Sequence, residues 1–366
     1  MGKGKNRKPL PPSRGQSSAR ATTPTIGATI QSKIVQTLID RMVDGREFES
    51  IVGLALQEGV DIIQEVRKGL NDLQAARGRP CLAYIGNVVS AGGAHSGIDS
   101  TDDLPFAEMV AAVPAEHVAV DVFLSTRGGS GHQVNGFVRA LRSRFSDVNF
   151  LIPSFCMSAG TLFALSGNRI WMTPRASLGP IDPQVTTRDG RYVPAQALLL
   201  LVAQLQRDGT EMMKNGQPIP WTAVRIIDTL DKKDLADALT ASQYSRDMAE
   251  EFIRTYKFHD WNTRESTGAP VTVEDKRKRA AEIAVELCSH EKWKAHGHAI
   301  SRDVLKDELR LKIDFPDAAL ERLMRRAWAI CAWVFDKTLV QKMLVSSNFS
   351  YLKHEVRQGL VLGAQK

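Results

Sequence analysis

The 366-residue chain predicts an α/β fold with largely parallel strands, and three observations carry that expectation. Short apolar runs recur between residues 79 and 174. They end in turns bearing glycine or proline, and the segments after those turns place apolar residues at helical spacing. A helix that follows each strand carries the chain back to the edge where that strand began, so the next strand runs parallel through a right-handed crossover.

Taken in order, residues 1–28 contain Pro, Gly, Ser and basic side chains with almost no large apolar residue. Such a segment buries too little surface to offset its ordering entropy and reads as a disordered basic tail. Residues 29–78 read as a helical arm broken near Gly45, with Ile62, Ile63, Val66, Leu70 and Leu73 on one face. RGRPCLAYIGNV is a buried strand beginning after Pro80, and LPFAEMVAAV is a short helix. HVAVDVFLSTRGG is a strand closed by a glycine turn, and the helix after it buries Val134, Phe137, Val138 and Leu141. VNFLIP, SAGTLFALSG and RIWMTP continue as strand, helix and strand, which places a protein core at 79–218. From about residue 190 the pattern turns helical, and residues 219–366 form a mainly helical region with a long late apolar stripe from Leu320 to Phe335.

Charge locates one partner class. The formal net charge is +7, but Lys3, Lys5, Arg7, Lys8, Arg14 and Arg20 account for all but one of these charges, so the body is nearly neutral. Contact with nucleic acid or an acidic surface is therefore an expectation for the tail alone, weak and salt-sensitive. Neither a signal-peptide core nor a run of roughly 18 apolar residues occurs, so the expected location is the cytoplasm, without a transmembrane segment. Cys81, Cys156, Cys288 and Cys331 lack CxxC pairing and read as buried thiols; no metal or organic cofactor is expected.

The chemistry concentrates in FLIPSFCMSAGTLFALSGNRIWMTPRASLGPIDPQV. Ser158 falls after a strand and at the start of a helix, where backbone N–H groups lack intrahelical partners and favour negative charge. Gly128 and Gly129 close an earlier strand-to-helix turn, able to offer amide donors with no side chain in the way. Position alone favours a serine that merely caps its helix, since caps greatly outnumber nucleophiles.

STRGGSGHQVNGFVRAL, CMSAGTLFALSGNRIWMTPRASLGPIDPQV and LCSHEKWKAHGHAISRDVLKDELRLKI together resemble the serine dehydrogenase proteinase family. That family belongs to the Clp-protease/crotonase superfamily and is related to Clp proteolytic subunits and signal peptide peptidase A. The resemblance covers roughly residues 65 to 345. It implies a β-β-α superhelical fold with a helical N-terminal arm and a mainly helical C-terminal region that completes the site and the oligomer contacts. It further implies a serine peptidase that forms an acyl-enzyme on Ser158, a peptide or protein substrate, and a homo-oligomer. By motif position the catalytic set is Ser158, Asp182 and His296, with Gly128, Gly129 and the amide of Ala159 as the oxyanion hole. Two departures stand out. Arg127 occupies the place of the family's proline before the glycines, and the Clp-type histidine some two dozen residues after the nucleophile is absent.

The general base is accordingly open among His296, His298 and Lys214, in that order. Histidine has an unperturbed pKa suited to the task, whereas a lysine base must be desolvated. His290 reads as a helix cap, His132 as an exposed helix-start residue and Cys156 as packing. The alternative function is a catalytically inactive Clp-like scaffold or binding protein; a crotonase-like acyl-CoA enzyme is a weaker one, since such enzymes generally rely on carboxylates.

Overall fold

The structure is a computed structural model that describes residues 61–90 and 95–355, together with Met1. The basic tail and the arm up to residue 60 lie outside the described residues. Helix α1 (Ile62–Arg77) starts where the Asp61 carboxylate accepts the Gln64 N–H at 3.1 Å, and stops at Gly78 in the left-handed region. Strand β1 (Cys81–Gly86), α2 (Asp103–Ala111), β2 (Ala119–Ser125), α3 (Gly131–Arg142) and β3 (Asp147–Ile152) follow. Next come β4 (Phe155–Cys156), α4 (Ala159–Leu165), β5 (Arg169–Met172), β6 (Ser177–Leu178), β7 (Gln184–Thr186) and β8 (Tyr192–Pro194). Helices α5 (Ala195–Lys214), α6 (Trp221–Thr229), α7 (Lys232–Phe252), α8 (Val273–Cys288) and the single turn α9 (His290–Trp293) precede β9 (Ile300–Ser301). The described residues end with α10 (Arg302–Asp307), α11 (Ala318–Lys337), β10 (Val340–Val345) and β11 (Ser350–His354).

The main sheet has the order β11-β10-β1-β2-β3-β5. Strands β1, β2, β3 and β5 are mutually parallel, as the alternation of strands and helices predicts, while β10 and β11 add an antiparallel edge. This makes the fold a mixed α/β arrangement around a central six-stranded sheet.

Because successive strand residues face opposite sides, β1 sends Leu82 and Tyr84 to one core and Cys81, Ala83 and Ile85 to the other. Phe106 of α2, Phe137 of α3 and Phe163 of α4 fill the first core, with the rings of Phe106 and Phe137 stacked at 4.1 Å. Val66, Leu70 and Leu73 of α1, with Met324, Ala327 and Cys331 of α11, cover the second. Each fully buried side chain of this size contributes roughly 1.5–3 kcal/mol, so the helices on both faces hold the sheet rigid under the loops that form the site.

A buried ion pair fixes one of those loops. Lys342 of β10 and Asp102 are both fully buried with Nζ and Oδ2 2.6 Å apart, and Tyr84 Oη donates to the same carboxylate at 2.8 Å. Asp102 also accepts the Asp99 N–H at 2.9 Å, which anchors the strand-like residues Gly97 and Ile98 just before it.

No helix among the described residues is long and apolar enough to cross a membrane.

Candidate active site

A second, three-stranded sheet of order β4-β6-β9 gathers the sequence-predicted residues. Strands β4 and β6 are parallel, with Cys156 opposite Leu178, and β9 runs antiparallel to β6, with Ile300 opposite Leu178. Ser158 lies two residues beyond Cys156, Asp182 four beyond Leu178, and His296 four before Ile300. All three therefore project from the same end of this sheet, although 138 residues of sequence separate the first from the last.

The backbone at Ser158 adopts φ 51° and ψ −117°, a conformation that disfavours any residue with a Cβ and costs about 1–3 kcal/mol. A strained strand-to-helix turn of this kind presents a hydroxyl at the tip of the turn. Capping its own helix would bring that hydroxyl onto an amide of α4, yet no such bond exists. Among the described residues Ser158 Oγ has no hydrogen-bond partner at all. The cap that position alone favours is thus absent.

The turn is braced by Thr161, which is fully buried. Its Oγ1 donates to Gly179 O at 2.9 Å and lies 3.0 Å from Cys156 O, and it accepts the Gly179 N–H at 3.0 Å. Cys156 is wholly buried, and burial pushes its thiol far up, which leaves it protonated and inert as a packing residue.

Beside this turn lies the glycine turn. Thr126 bridges to Cys156, with Met157 N donating to Thr126 O at 2.9 Å. On the far side Ile98 bridges to Gly129: Ile98 N donates to Gly128 O at 2.7 Å and Ser130 N donates to Ile98 O at 2.8 Å. Gly128 and Gly129 have φ of 104° and 136°, which L side chains rarely adopt. A Cβ on Gly128 would stand 2.8 Å from Ser158 Cβ and 3.2 Å from Ala159 N, so the two turns are in direct contact.

The amides separate into two kinds. The Gly128 N–H donates to Thr126 Oγ1 at 3.1 Å, whereas the N–H groups of Gly129 and Ala159 find no acceptor among the described residues. Arg127 folds away from Ser158: its guanidinium donates to the carbonyls of Asn87, Val88 and Ser90 at 3.1–3.3 Å.

Asp182 is buried, and Ile181 N beside it donates to Leu287 O at the end of α8. Its Oδ1 lies 2.9 Å from His296 Nδ1 and its Oδ2 lies 3.3 Å from His290 Nδ1. A carboxylate only accepts hydrogen bonds, so each imidazole carries a proton on Nδ1, and in the neutral ring the lone pair then sits on Nε2. His290 is the first residue of α9 rather than a cap on α8, and its contact with Asp182 is not legible from its place in the sequence. The other residues weighed as bases stand elsewhere. His298 is exposed with its ring 5.3 Å from that of Trp293, and Lys214 is exposed at the last turn of α5. His132 is exposed beside Tyr244.

Several supporting residues escape a reading of the sequence: Thr126, Thr161, Ile98 and His290. Thr161 and His290 sit inside the quoted blocks MSAGT and LCSHEKW, so the blocks signal their presence but not their contacts.

Two uncharacterized proteins of Methanocaldococcus jannaschii are similar to the chain, one 34% identical over 89 residues and the other 33% identical over 84. These stretches cover 24% and 23% of this chain and 29% and 27% of the relatives, so the chain spans less than a third of the length of the curated relatives it matches. A family model, that of the ClpP-like SDH-type serine proteinases, matches residues 99–247, which contain the glycine turn, Ser158 and Asp182. Over residues 99–247, the chain is similar to the ClpP-like SDH-type serine proteinase family.

Proposed function

We propose that the protein is a serine peptidase in which Ser158 attacks the scissile carbonyl and forms an acyl-enzyme. The observation that carries this reading is the Asp182–His296 pair, held at 2.9 Å at the same end of the small sheet as an uncapped, strained Ser158. A serine hydroxyl is a weak nucleophile until a neighbouring base removes its proton. His296, fixed in its Nδ1–H tautomer by Asp182, offers Nε2 for that purpose, and the carboxylate stabilises the imidazolium that forms.

As the carbonyl becomes tetrahedral, its oxygen acquires negative charge. The unpartnered amides of Gly129 and Ala159 flank Ser158 and are the donors for that oxygen. Gly128 shapes the turn rather than donating, since Thr126 Oγ1 already accepts its N–H. His296 then passes its proton to the leaving amine, and water, activated by the same imidazole, releases the acyl group. The whole chain's substrate and its assembly into a homo-oligomer are part of this proposal, in keeping with the family's habit of acting on proteins as oligomers.

A fluorophosphonate probe tests the reading. Wild-type protein acquires one covalent label, and the label disappears in Ser158→Ala and in His296→Ala while thermal unfolding stays cooperative. A folded protein that takes no label, or one that still labels as Ser158→Ala, would overturn it.

A further inference from the structure

We propose that His290 is a positioning residue for the Asp182–His296 pair: by donating from Nδ1 to the second oxygen of Asp182, it sets the orientation of the carboxylate and moderates its pull on His296. This rests on the peptidase reading of the site. The geometry is a shared carboxylate. Asp182 Oδ1 faces His296 Nδ1 at 2.9 Å while Oδ2 faces His290 Nδ1 at 3.3 Å, so both oxygens of one buried group accept from imidazoles six residues apart.

The chain between the two histidines is built to hold them there. Ser289 Oγ accepts the Lys292 N–H at 3.1 Å to start the turn α9 at His290, and Lys294 in the left-handed region ends it, its N–H donating to His290 O at 2.8 Å. Buried Trp293 locks the turn to α8 by donating from Nε1 to Glu286 O at 2.7 Å. From this fixed turn the chain doubles back, and His296 reaches the same carboxylate before β9 begins.

The surrounding ionisable groups leave the shared carboxylate to the two imidazoles. Cys288 of α8 is held protonated by burial, and Glu286 is closed by Lys292 at 2.8 Å, with Glu308 on the far side of that lysine at 3.7 Å. Arg246 of α7 faces Cys288, and His298 faces Trp293. With both oxygens engaged, the carboxylate cannot rotate to present a different lone pair to His296. Sharing its charge between two donors also weakens the stabilisation of the His296 imidazolium.

The test compares wild type, His290→Leu and His290→Asn, since Asn places its amide N–H near the position of Nδ1. Labelling by the fluorophosphonate at neutral pH falls about tenfold in His290→Leu, because the undivided carboxylate charge then holds His296 as the imidazolium, which cannot act as a base. The acid limb of the labelling rate moves to higher pH in that variant, and His290→Asn restores both. An unmoved limb in His290→Leu, or an Asn variant as impaired as the Leu variant, would overturn the proposal. A second arm does not depend on catalysis: proton NMR of the wild type shows two downfield imidazole N–H signals, both lost in Asp182→Ala, and His290→Leu removes one and shifts the other. A wild-type protein that never labels while this spectrum holds would refute the peptidase reading and leave His290 in its place; absence of the His290 signal would refute the positioning role whatever the labelling.

Discussion

Replacing Asp182 by Asn separates the electrostatic contribution of this carboxylate from its volume. Asp182 is buried and accepts from two imidazoles, so the substitution preserves packing while removing the negative charge and one of the two acceptors. A carboxylate and an imidazolium in contact at 2.9 Å have charge centres about 4 Å apart, worth about 4 kcal/mol at an effective dielectric of about 20. That corresponds to a loss of about a thousandfold in the rate of the step that forms the imidazolium. The single oxygen left on Asn also serves only one histidine, and the displaced ring is free to move its proton to Nε2, where it no longer acts as a base. The assay is the second-order rate constant for fluorophosphonate labelling near neutral pH, with thermal unfolding as the check on folding. A folded Asp182→Asn protein that labels within about threefold of wild type would refute the electrostatic reasoning, because less than about 0.7 kcal/mol would then separate the two side chains.

Three further outcomes follow from the packing. Gly129→Ala sets a Cβ 2.3 Å from Ile98 O at a φ of 136°, so it lowers the thermal midpoint by an amount equivalent to about 3 kcal/mol or more and abolishes labelling; Gly190→Ala, with open space around its Cβ, costs about 1 kcal/mol. Lys342→Met leaves the buried Asp102 carboxylate unpaired at a cost of about 3–5 kcal/mol, and adding Asp102→Asn recovers much of that loss, so additive losses in chemical denaturation would contradict the ion-pair account. Lys257 lies in a π-helical turn with Nζ 3.4 Å from Asn168 O, and burial pushes its ammonium down to about 7. Its folded pKa lies below its unfolded one, so the unfolded chain binds more protons between pH 7 and about 10 and wild-type stability rises over that window. Lys257→Met therefore stabilises the protein most below pH 7, by on the order of a few kcal/mol, and its advantage shrinks toward pH 10; an advantage that does not change with pH would sink this assignment.

How far the sequence discloses this molecule depends on what each residue's role rests on. The four parallel strands and the helices between them follow from local signals: Val134, Phe137, Val138 and Leu141 lie on one face at helical spacing, and all four are buried in α3. Strands β4, β6 and β9 have only two residues each, too short for any periodicity, and their pairing is a tertiary fact. The β10–β11 hairpin sits within a region that reads as mainly helical, because its pairing with β1 lies across more than 250 residues of chain. Ser158 and the two glycines are visible because a strand-to-helix turn leaves marks on composition: small residues, then an apolar helix. Asp182 and His296 come to notice through resemblance, and the structure joins them at 2.9 Å. His290 illustrates the limit. As the residue after LCS it reads as a helix end, and only the turn at Lys294 reveals that it folds onto Asp182.

The central claim is that Ser158, His296 and the amides of Gly129 and Ala159 act on a single carbonyl. The most direct measurement is a crystal structure of the protein after reaction with a fluorophosphonate. The account predicts phosphorus bonded to Ser158 Oγ, one phosphoryl oxygen about 2.7–3.1 Å from both amide nitrogens, and His296 Nε2 within hydrogen-bond reach of the adduct. An adduct on another residue, or a phosphoryl oxygen turned away from both amides, would contradict it.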